Sequence, residues 1–166
     1  MCGKEIPSRW EIVAASVRGA SHNRSGLPNQ DAFLVLPEKG IGSVVILSIA
    51  DGHGSAKSFR SDIGAKFAVQ VCVQVLNESW ANVSRQGLPS LTVIKRECED
   101  RLPKLISRAW RQKVDEHCAG TPFSLDEISK MTDKAILDYA KAKKTNYQAY
   151  GATLLAVMMT ETFMLC

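Results

Sequence analysis

The residues best suited to chemistry stand together in the tetrapeptide Asp51-Gly52-His53-Gly54. An apolar run, residues 43–50, directly precedes it and predicts a strand buried on both faces, with Asp51 at its carboxyl end. Glycine has no Cβ atom, so the backbone here can approach a bound group closely. Carboxylate and carbonyl oxygens beside an imidazole suit Mg²⁺ or Mn²⁺ better than zinc. The tetrapeptide is equally compatible with a plain strand-to-helix turn in which Asp51 caps nearby amides.

A second carboxylate favours the metal-site interpretation. Asp31 follows Pro28-Asn29-Gln30 and opens another apolar segment, residues 32–36. If the two predicted strands pair side by side, Asp31 and Asp51 reach the same edge of the sheet. Two carboxylates held close together repel each other unless a cation lies between them. The alternative for Asp31 is a loop aspartate that caps a turn, which is common for this residue type.

The elements that must position these residues are predicted from hydrophobic spacing. Strands are expected at residues 10–17, 32–36, 43–50, 151–159 and 163–166. Helices are expected from near residue 55 to about 80, from 91 to about 118 and, with a weaker pattern, over 125–142. The apolar stripe of the second helix begins with Leu91. Residues 18–30 and 81–90, rich in Gly, Pro, Ser and Asn, are predicted to be loops.

Two local signals refine the helical part of the chain. Pro103 lies inside the second predicted helix and predicts a kink or a break near Leu102, because proline has no amide hydrogen to donate. Ser124 and Glu127 are three residues apart at the start of the third, which is typical of a capping box.

Composition excludes several classes of protein. With 45% hydrophobic and 23% charged residues among 166, the chain is typical of a globular domain. It has no apolar stretch long enough to span a membrane and no secretory signal at its start. Its five cysteines are widely spaced without a Cys-x-x-Cys pair, which favours reduced thiols in a cytoplasm over disulfides or a zinc site.

The charge pattern gives little support to nucleic-acid binding. The net charge is only +4, and the cations concentrate between Lys95 and Lys113, where Trp110 is the one aromatic residue. A nucleic-acid interface would need a stronger bias and interleaved aromatics. The run therefore predicts a solvated helix face, and the alternative is a surface that binds acidic partners.

The order of these motifs resembles a known family. A strand, a Gly-x-Ser-His loop, Asn-Gln-Asp, two strands, Asp-Gly-His-Gly, an amphipathic helix and a late Gly-Ala-Thr-Leu-Leu strand follow one another from residue 12 to 166. This order is similar to that of the metal-dependent protein serine/threonine phosphatases of type 2C (the PPM family), and most of all to a bacterial-type branch. The resemblance implies an α/β (α+β) fold, a four-layer α-β-β-α sandwich of mostly antiparallel sheets. Residues 1–9 would be an N-terminal tail and residues 10–166 the N-terminal part of the phosphatase domain.

The resemblance also implies roles for particular residues. Asp51 would bridge two Mg²⁺ or Mn²⁺ ions, the Gly52 carbonyl would bind one of them, and Asp31 would join the shell directly or through water. A water between the metals would attack the phosphorus of phosphoserine or phosphothreonine, and His53 would protonate the leaving oxygen. Many relatives carry a phosphate-binding arginine five residues before the first aspartate.

Gly26 occupies that arginine position in this chain. The phosphate-binding candidates are therefore Arg24, two residues earlier, and His22. Arg24 is equally compatible with an ordinary solvent-exposed loop arginine.

The family's later aspartates have no counterpart before Cys166, and the chain ends inside an apolar strand. Asp133 and Asp138 precede the Gly-Ala-Thr strand and do not correspond to them. We therefore expect the fold to be incomplete at the C-terminus, and we expect this chain alone to bind metals poorly and to have little or no phosphatase activity.

Two further predictions concern function. The partners implied by the resemblance are a phosphorylated protein substrate and a cognate Ser/Thr kinase system, with no membrane and no nucleic acid. The alternative function is a non-catalytic, phosphatase-like binding or regulatory module that recognises phosphoproteins without hydrolysing them.

Overall fold

Four strands form one antiparallel sheet. The computed structural model of the chain describes residues 9–87, 90–142 and 144–166. Its strands are β1 (Trp10–Glu11), β2 (Ala32–Leu36), β3 (Ile41–Gly42), β4 (Val45–Gly52), β5 (Ala152–Met159) and β6 (Met164–Leu165). The sheet has the order β2-β4-β5-β6 with every neighbouring pair antiparallel, while β1 and β3 form a separate antiparallel pair.

The helices of the described part lie between β4 and β5, apart from a short one near the start. They are α1 (Ala20–Ser25), α2 (Ser61–Gln86), α3 (Leu91–Arg96), α4 (Leu102–Gly120), α5 (Leu125–Ser129) and α6 (Asp133–Ala142). A π-helical segment, Glu97–Arg101, joins α3 to α4, and a 3₁₀ turn, Tyr147–Tyr150, leads into β5. The fold is therefore a mixed α/β arrangement in which an antiparallel sheet packs against helices.

The core lies between α2 and one face of this sheet. Alternate residues of β4 point to the helix side, where Ile46 packs with Cys72 and Leu76, and Ala50 packs with Ala65 and neighbouring small residues. The small side chains near Ala50 let α2 approach the sheet closely at the end that carries Asp51. Burial of these apolar surfaces is the main favourable term that holds α2 in place.

The other face of the sheet, here called the outer face, stays exposed. Phe33, Ile49 and Leu155 are cross-strand neighbours on it, and 38%, 45% and 64% of their surfaces are exposed. The segment 13–17 runs beside them and helps to line a cavity of about 530 Å³. A second stacked sheet is not among the described residues, so the four-layer sandwich stays a prediction, as does the tail at residues 1–9.

The strands closest to the candidate site were predicted well, and the capping box is confirmed. β2, β4 and β5 agree with their predicted segments within two residues. The Ser124 hydroxyl accepts the Glu127 amide at 3.2 Å, and the Glu127 carboxylate accepts the Ser124 amide at 2.9 Å. These features depend on residues that are close together in the chain, so they can be predicted from the sequence alone.

Several predicted boundaries were wrong. The first strand covers only Trp10–Glu11, and the loop predicted over 18–30 contains α1, whose capping residue Gly26 has a left-handed φ of 74°. The first long helix begins at Ser61 and not near residue 55, and it continues to Gln86 through part of the loop predicted over 81–90. Residues 88 and 89 of that loop lie outside the described residues.

Two of the remaining helical predictions also need correction, and one is confirmed. The helix predicted over 125–142 is two helices, because the Thr132 hydroxyl accepts the Ala135 amide at 3.3 Å and starts α6 anew. Leu91, expected on the inner face of its helix, is 74% exposed. The interruption predicted near Leu102 is confirmed: α3 ends at Arg96, the π-helical segment follows, and α4 begins at Leu102 with Pro103 in its first turn. The Leu102 amide donates to the Glu97 carbonyl, a π-type bond.

Three further features of the described residues concern predictions made from composition: the cysteines, membrane-spanning helices and the basic run. Cys72, Cys98, Cys118 and Cys166 are free thiols, while Cys2 lies outside the part of the chain that is described. None of the described helices combines the length and the apolarity needed to cross a membrane. Arg101 pairs with Glu97 at 2.7 Å on an exposed part of the basic run.

A buried arginine ties the start of α2 to distant parts of the chain. Arg60 is 5% exposed, and its guanidinium binds both carboxylate oxygens of Glu127, at 2.6 and 2.8 Å. It also donates to the Thr121 and Pro122 carbonyls, at 2.8 and 3.1 Å, and to the Tyr150 hydroxyl at 2.7 Å. Every N–H of the guanidinium therefore has an acceptor, as a buried cation requires.

The same group is packed by aromatic rings. The Arg60 guanidinium carbon lies 4.5 Å from the centre of the Phe123 ring, a cation–π contact. The Tyr150 hydroxyl, which accepts from Arg60, also lies 2.9 Å from Nδ1 of His117. We call Arg60, Glu127, Tyr150 and His117 the Arg60 cluster.

We predict that Gly64→Ala destabilises the protein. A Cβ atom at Gly64 would overlap the carbonyl oxygen of Tyr150, so α2 or the 3₁₀ turn must move. Overpacking of this kind lowers the free energy of unfolding by about 1–3 kcal/mol, measured by urea denaturation. Gly120→Ala is the matched control, because a Cβ there meets no heavy atom within 4 Å. Equal stability of the two variants would contradict the close packing of α2.

We also predict an acid-sensitive contribution from Glu127. Hydrogen bonds from Arg60 lower the pKa of Glu127 from 4.5 to about 2, against the opposing effect of burial. A lowered carboxyl pKa gives stability that is fully present above about pH 4.5 and is lost as the pH falls towards about 2. Glu127→Gln should therefore lower the free energy of unfolding by about 3 kcal/mol at neutral pH and by progressively less in acid.

The control for that measurement is Asp126→Asn, one residue away. Asp126 pairs with Lys130 at 2.6 Å, but its side chain is 77% exposed. Exposed pairs contribute little, so its unfolding free energy should follow the wild type at every pH. A loss in Glu127→Gln that does not change with pH would show that the ion pair is not its source.

Candidate functional site

Asp31 and Asp51 lie at the same edge of the sheet. Ala32 pairs with Ala50 in the antiparallel ladder of β2 and β4. Asp31, directly before Ala32, and Asp51, directly after Ala50, are therefore neighbours at the end of this strand pair. Both aspartates are exposed, and both line the cavity of about 530 Å³ beside the outer face. The structure thus brings together the two carboxylates that the sequence predicted would meet.

The residues before Asp31 fix the loop that carries it. The Asn29 side chain accepts the Asp31 amide at 3.2 Å and donates to the Ser16 hydroxyl at 2.7 Å. The Gln30 carbonyl accepts the Gly52 amide at 3.2 Å, which extends the β2–β4 pairing past the strand end. Each residue of the Asn-Gln-Asp motif therefore helps to hold Asp31 beside the end of β4.

Close packing explains the glycines that follow Asp51. A Cβ at Gly52 would lie 2.8 Å from the Gln30 carbonyl oxygen and 3.0 Å from the Cβ of Ser61. Gly54 has a φ of 58°, which favours glycine, and its Cβ would lie 3.1 Å from Oε1 of Gln30. Gly52 is buried and does not line the cavity with Asp31 and Asp51.

The sequence did not identify Thr153 as a site residue. Thr153 pairs with Asp51 across β4 and β5 and lines the same cavity. It belongs to the Gly-Ala-Thr element, so the motif that marks the strand also supplies this hydroxyl. Only the register of two strands far apart in the sequence places it beside Asp51.

His53 faces a different cavity from the aspartates. Its amide donates to the Gly151 carbonyl at 3.0 Å, and a Cβ at Gly151 would lie 2.6 Å from Nδ1 of the His53 ring. The ring lines a second cavity of about 530 Å³, on the helix side of the sheet, together with Trp110 and Ile106. His53 thus adjoins the carboxylate edge in the chain but does not share its cavity.

The two phosphate-binding candidates lie on α1. Arg24 is exposed, His22 is half-buried, and the His22 carbonyl accepts Nη2 of Arg18 at 3.0 Å. Neither residue lines the cavity that contains Asp31 and Asp51. The structure therefore does not bring Arg24 and His22 together with the aspartates.

The donor set at this edge fits a hard cation in kind. Two carboxylates and the Thr153 hydroxyl are oxygen donors, which Mg²⁺ and Mn²⁺ prefer. Within the ranges that the structure describes, no three acidic, His or Cys side chains cluster tightly enough to hold a metal ion. Asp31 and Asp51 are therefore the residues that would hold such an ion, as part of a shell.

Comparison with known proteins gives one match. The family model for protein phosphatase 2C matches residues 18–166, which is most of the chain and includes every candidate site residue. No curated protein and no solved structure matched. The matched segment contains both aspartates of the cavity and the whole four-stranded sheet, and on this ground the chain belongs to the protein phosphatase 2C family.

Proposed function

We propose that the site at Asp31 and Asp51 serves the metal-dependent hydrolysis of phosphoserine and phosphothreonine in proteins. The observation that carries the proposal is the convergence of these two carboxylates in one cavity, in a chain that belongs to the protein phosphatase 2C family. The substrate would be a phosphorylated protein, and a Ser/Thr kinase system would supply it. The free thiols are compatible with a cytoplasmic protein.

Asp51 and Asp31 have the first role in this proposal. Their carboxylates would hold two Mg²⁺ or Mn²⁺ ions. The Gly52 carbonyl, which the family resemblance implies as a further ligand, belongs to a buried residue outside the cavity lining, so it would join the shell only from the inner side of the turn. When bound, the ions would lower the pKa of a water and neutralise charge on the phosphoryl oxygens. Thr153 lies beside Asp51 in the same cavity, and its hydroxyl would help to orient the Asp51 carboxylate.

His53, Arg24 and His22 have roles that depend on how the substrate lies. His53 would protonate the leaving serine or threonine oxygen, since an imidazole can act as a general acid. Arg24, with His22, would bind the phosphoryl group, since a guanidinium matches phosphate oxygens well.

A non-catalytic phosphoprotein-binding module is the second candidate. The observation that favours it is the short ligand set: among the described residues, two carboxylates reach this edge and no group of three or more potential ligands forms. A shell of two carboxylates holds divalent ions weakly. We therefore expect the chain by itself to hydrolyse a phosphorylated protein slowly or not at all.

The metal-binding part of the proposal is tested by calorimetry with Mn²⁺. We expect weak binding by the chain and at least about a tenfold loss of affinity in Asp51→Asn and in Asp31→Asn, because each variant removes one of two anionic ligands. Asp100→Asn is the control, since its exposed carboxylate lies on the π-helical segment and makes only a 3.9 Å pair with Lys104. Mn²⁺ binding that is unchanged in both site variants would exclude these residues as ligands.

The reaction is tested separately with a phosphothreonine peptide. Any release of phosphate in Mn²⁺ should be slow, should stop on chelation and should be lost in Asp51→Asn. Peptide binding without phosphate release would favour the second candidate. Release that persists in Asp51→Asn would contradict the proposed site.

A further inference from the structure

We propose that Arg60, through Glu127 and Tyr150, is a positioning residue that fixes His53 at the edge of the sheet. This inference rests on the proposed function, in which His53 is the proton donor. It assigns a role in the site to a cluster that includes Glu127, on α5, whose side chain hydrogen-bonds to Arg60 and to the Ser124 amide. The argument has three steps, each made by contacts within the described residues.

The first step is that Arg60 holds its neighbours rigidly. The bidentate contact with Glu127, the two backbone carbonyls and the Tyr150 hydroxyl use all of its N–H groups. A planar guanidinium bound on all sides allows little rotation. Tyr150 is fully buried, and its hydroxyl is held from the other side by His117, so the ring has one position.

The second step is that the loop from His53 to Arg60 is attached at both ends to one short segment. The His53 amide donates to the Gly151 carbonyl at 3.0 Å, and the Arg60 amide donates to the Ala149 carbonyl at 2.8 Å. Residues 149–151 thus act as a common anchor. Tyr150, between the two attachment points, is the residue that the Arg60 side chain grips.

The third step is the contact of the His53 ring with Gly151. Nδ1 of His53 lies so close to Gly151 that a Cβ there would be 2.6 Å away. A displacement of Tyr150 would carry Gly151 with it and move the surface against which the ring lies. The position of His53 therefore depends on Arg60 and, through it, on Glu127.

Charge and packing support a role for Glu127 in particular. Its carboxylate is the one anion that pairs with Arg60 among the described residues. Removing it leaves a buried cation without its counter-ion, and such a group recruits water or shifts its neighbours. The expected response is a shift of the guanidinium, which releases or moves the Tyr150 hydroxyl.

The test uses the imidazole signals of the metal-free chain in NMR. The chain has three histidines, His22, His53 and His117, so replacing each in turn by glutamine assigns their cross-peaks. Spectra are recorded at about pH 8.5, well above the usual histidine pKa of about 6.5, so that the signals report ring environment and not protonation. Glu127→Gln is compared with Asp126→Asn, which removes the same charge from an exposed position on the same helix.

We expect Glu127→Gln to move the His53 and His117 cross-peaks by more than their linewidths and to leave His22 in place. Asp126→Asn should move none of the three. If Glu127→Gln does not fold, Tyr150→Phe gives the same readout, because it removes only the hydroxyl that joins Arg60 to His117. A His53 signal that stays at its wild-type position in the folded variant, whether or not His117 moves, would overturn the proposal.

The measurement needs neither metal nor substrate. Its result therefore stands apart from the outcome of the phosphate-release experiment. A moved His53 signal in a chain without phosphatase activity would leave the positioning role intact and would count only against the proposed reaction.

Discussion

A buried cation that must keep all its partners is the constraint on which much of this structure depends. Taking a guanidinium out of water carries a penalty of several kcal/mol, which only well-placed acceptors can offset. Burial alone would lower the pKa of Arg60, but its hydrogen bonds to Glu127 and Tyr150 raise it overall, so the group stays charged. The start of α2, the turn before α5 and the turn before β5 are therefore fixed to one another.

The same constraint affects the protonation states of the groups around Arg60. Burial raises the pKa of the Tyr150 hydroxyl, although Arg60 opposes the shift, and burial together with the positive charge of Arg60 lowers the pKa of His117. Tyr150 is therefore a neutral hydroxyl, and a neutral His117 is favoured beside it. A single charge pair, Arg60 with Glu127, lies at the centre of otherwise uncharged hydrogen bonds, which reduces the electrostatic penalty of burial.

The features that the sequence predicted are those whose signal is local. The strands that carry Asp31 and Asp51 follow from short apolar runs, and the Ser124–Glu127 capping box follows from a three-residue spacing. The family could also be inferred, because its motifs occur in a fixed order along the chain. The fold class was predicted only at the level of helices packed against an antiparallel sheet.

Other features depend on contacts between distant residues, which no local pattern reveals. Arg60 and Tyr150 are 90 positions apart, and nothing around either residue indicates a partner. Thr153 reaches Asp51 only through strand register. The short helix α1 was missed because its six residues and the capping glycine that follows have the composition of a loop. The roles of His53, Arg24 and His22 stay predictions, because they depend on where a substrate lies.

The outer face of the sheet carries a thermodynamic consequence. Three apolar side chains are exposed there, and the same three also line the cavity that contains Asp31 and Asp51: Phe33, Ile49 and Leu155. Any polypeptide that covered this face would at the same time exclude water from the two carboxylates and strengthen their repulsion. Covering the face and binding a cation would then be linked equilibria: each would raise the affinity of the other by the same factor. A hydrophobic surface would in this way control the affinity of an ionic site.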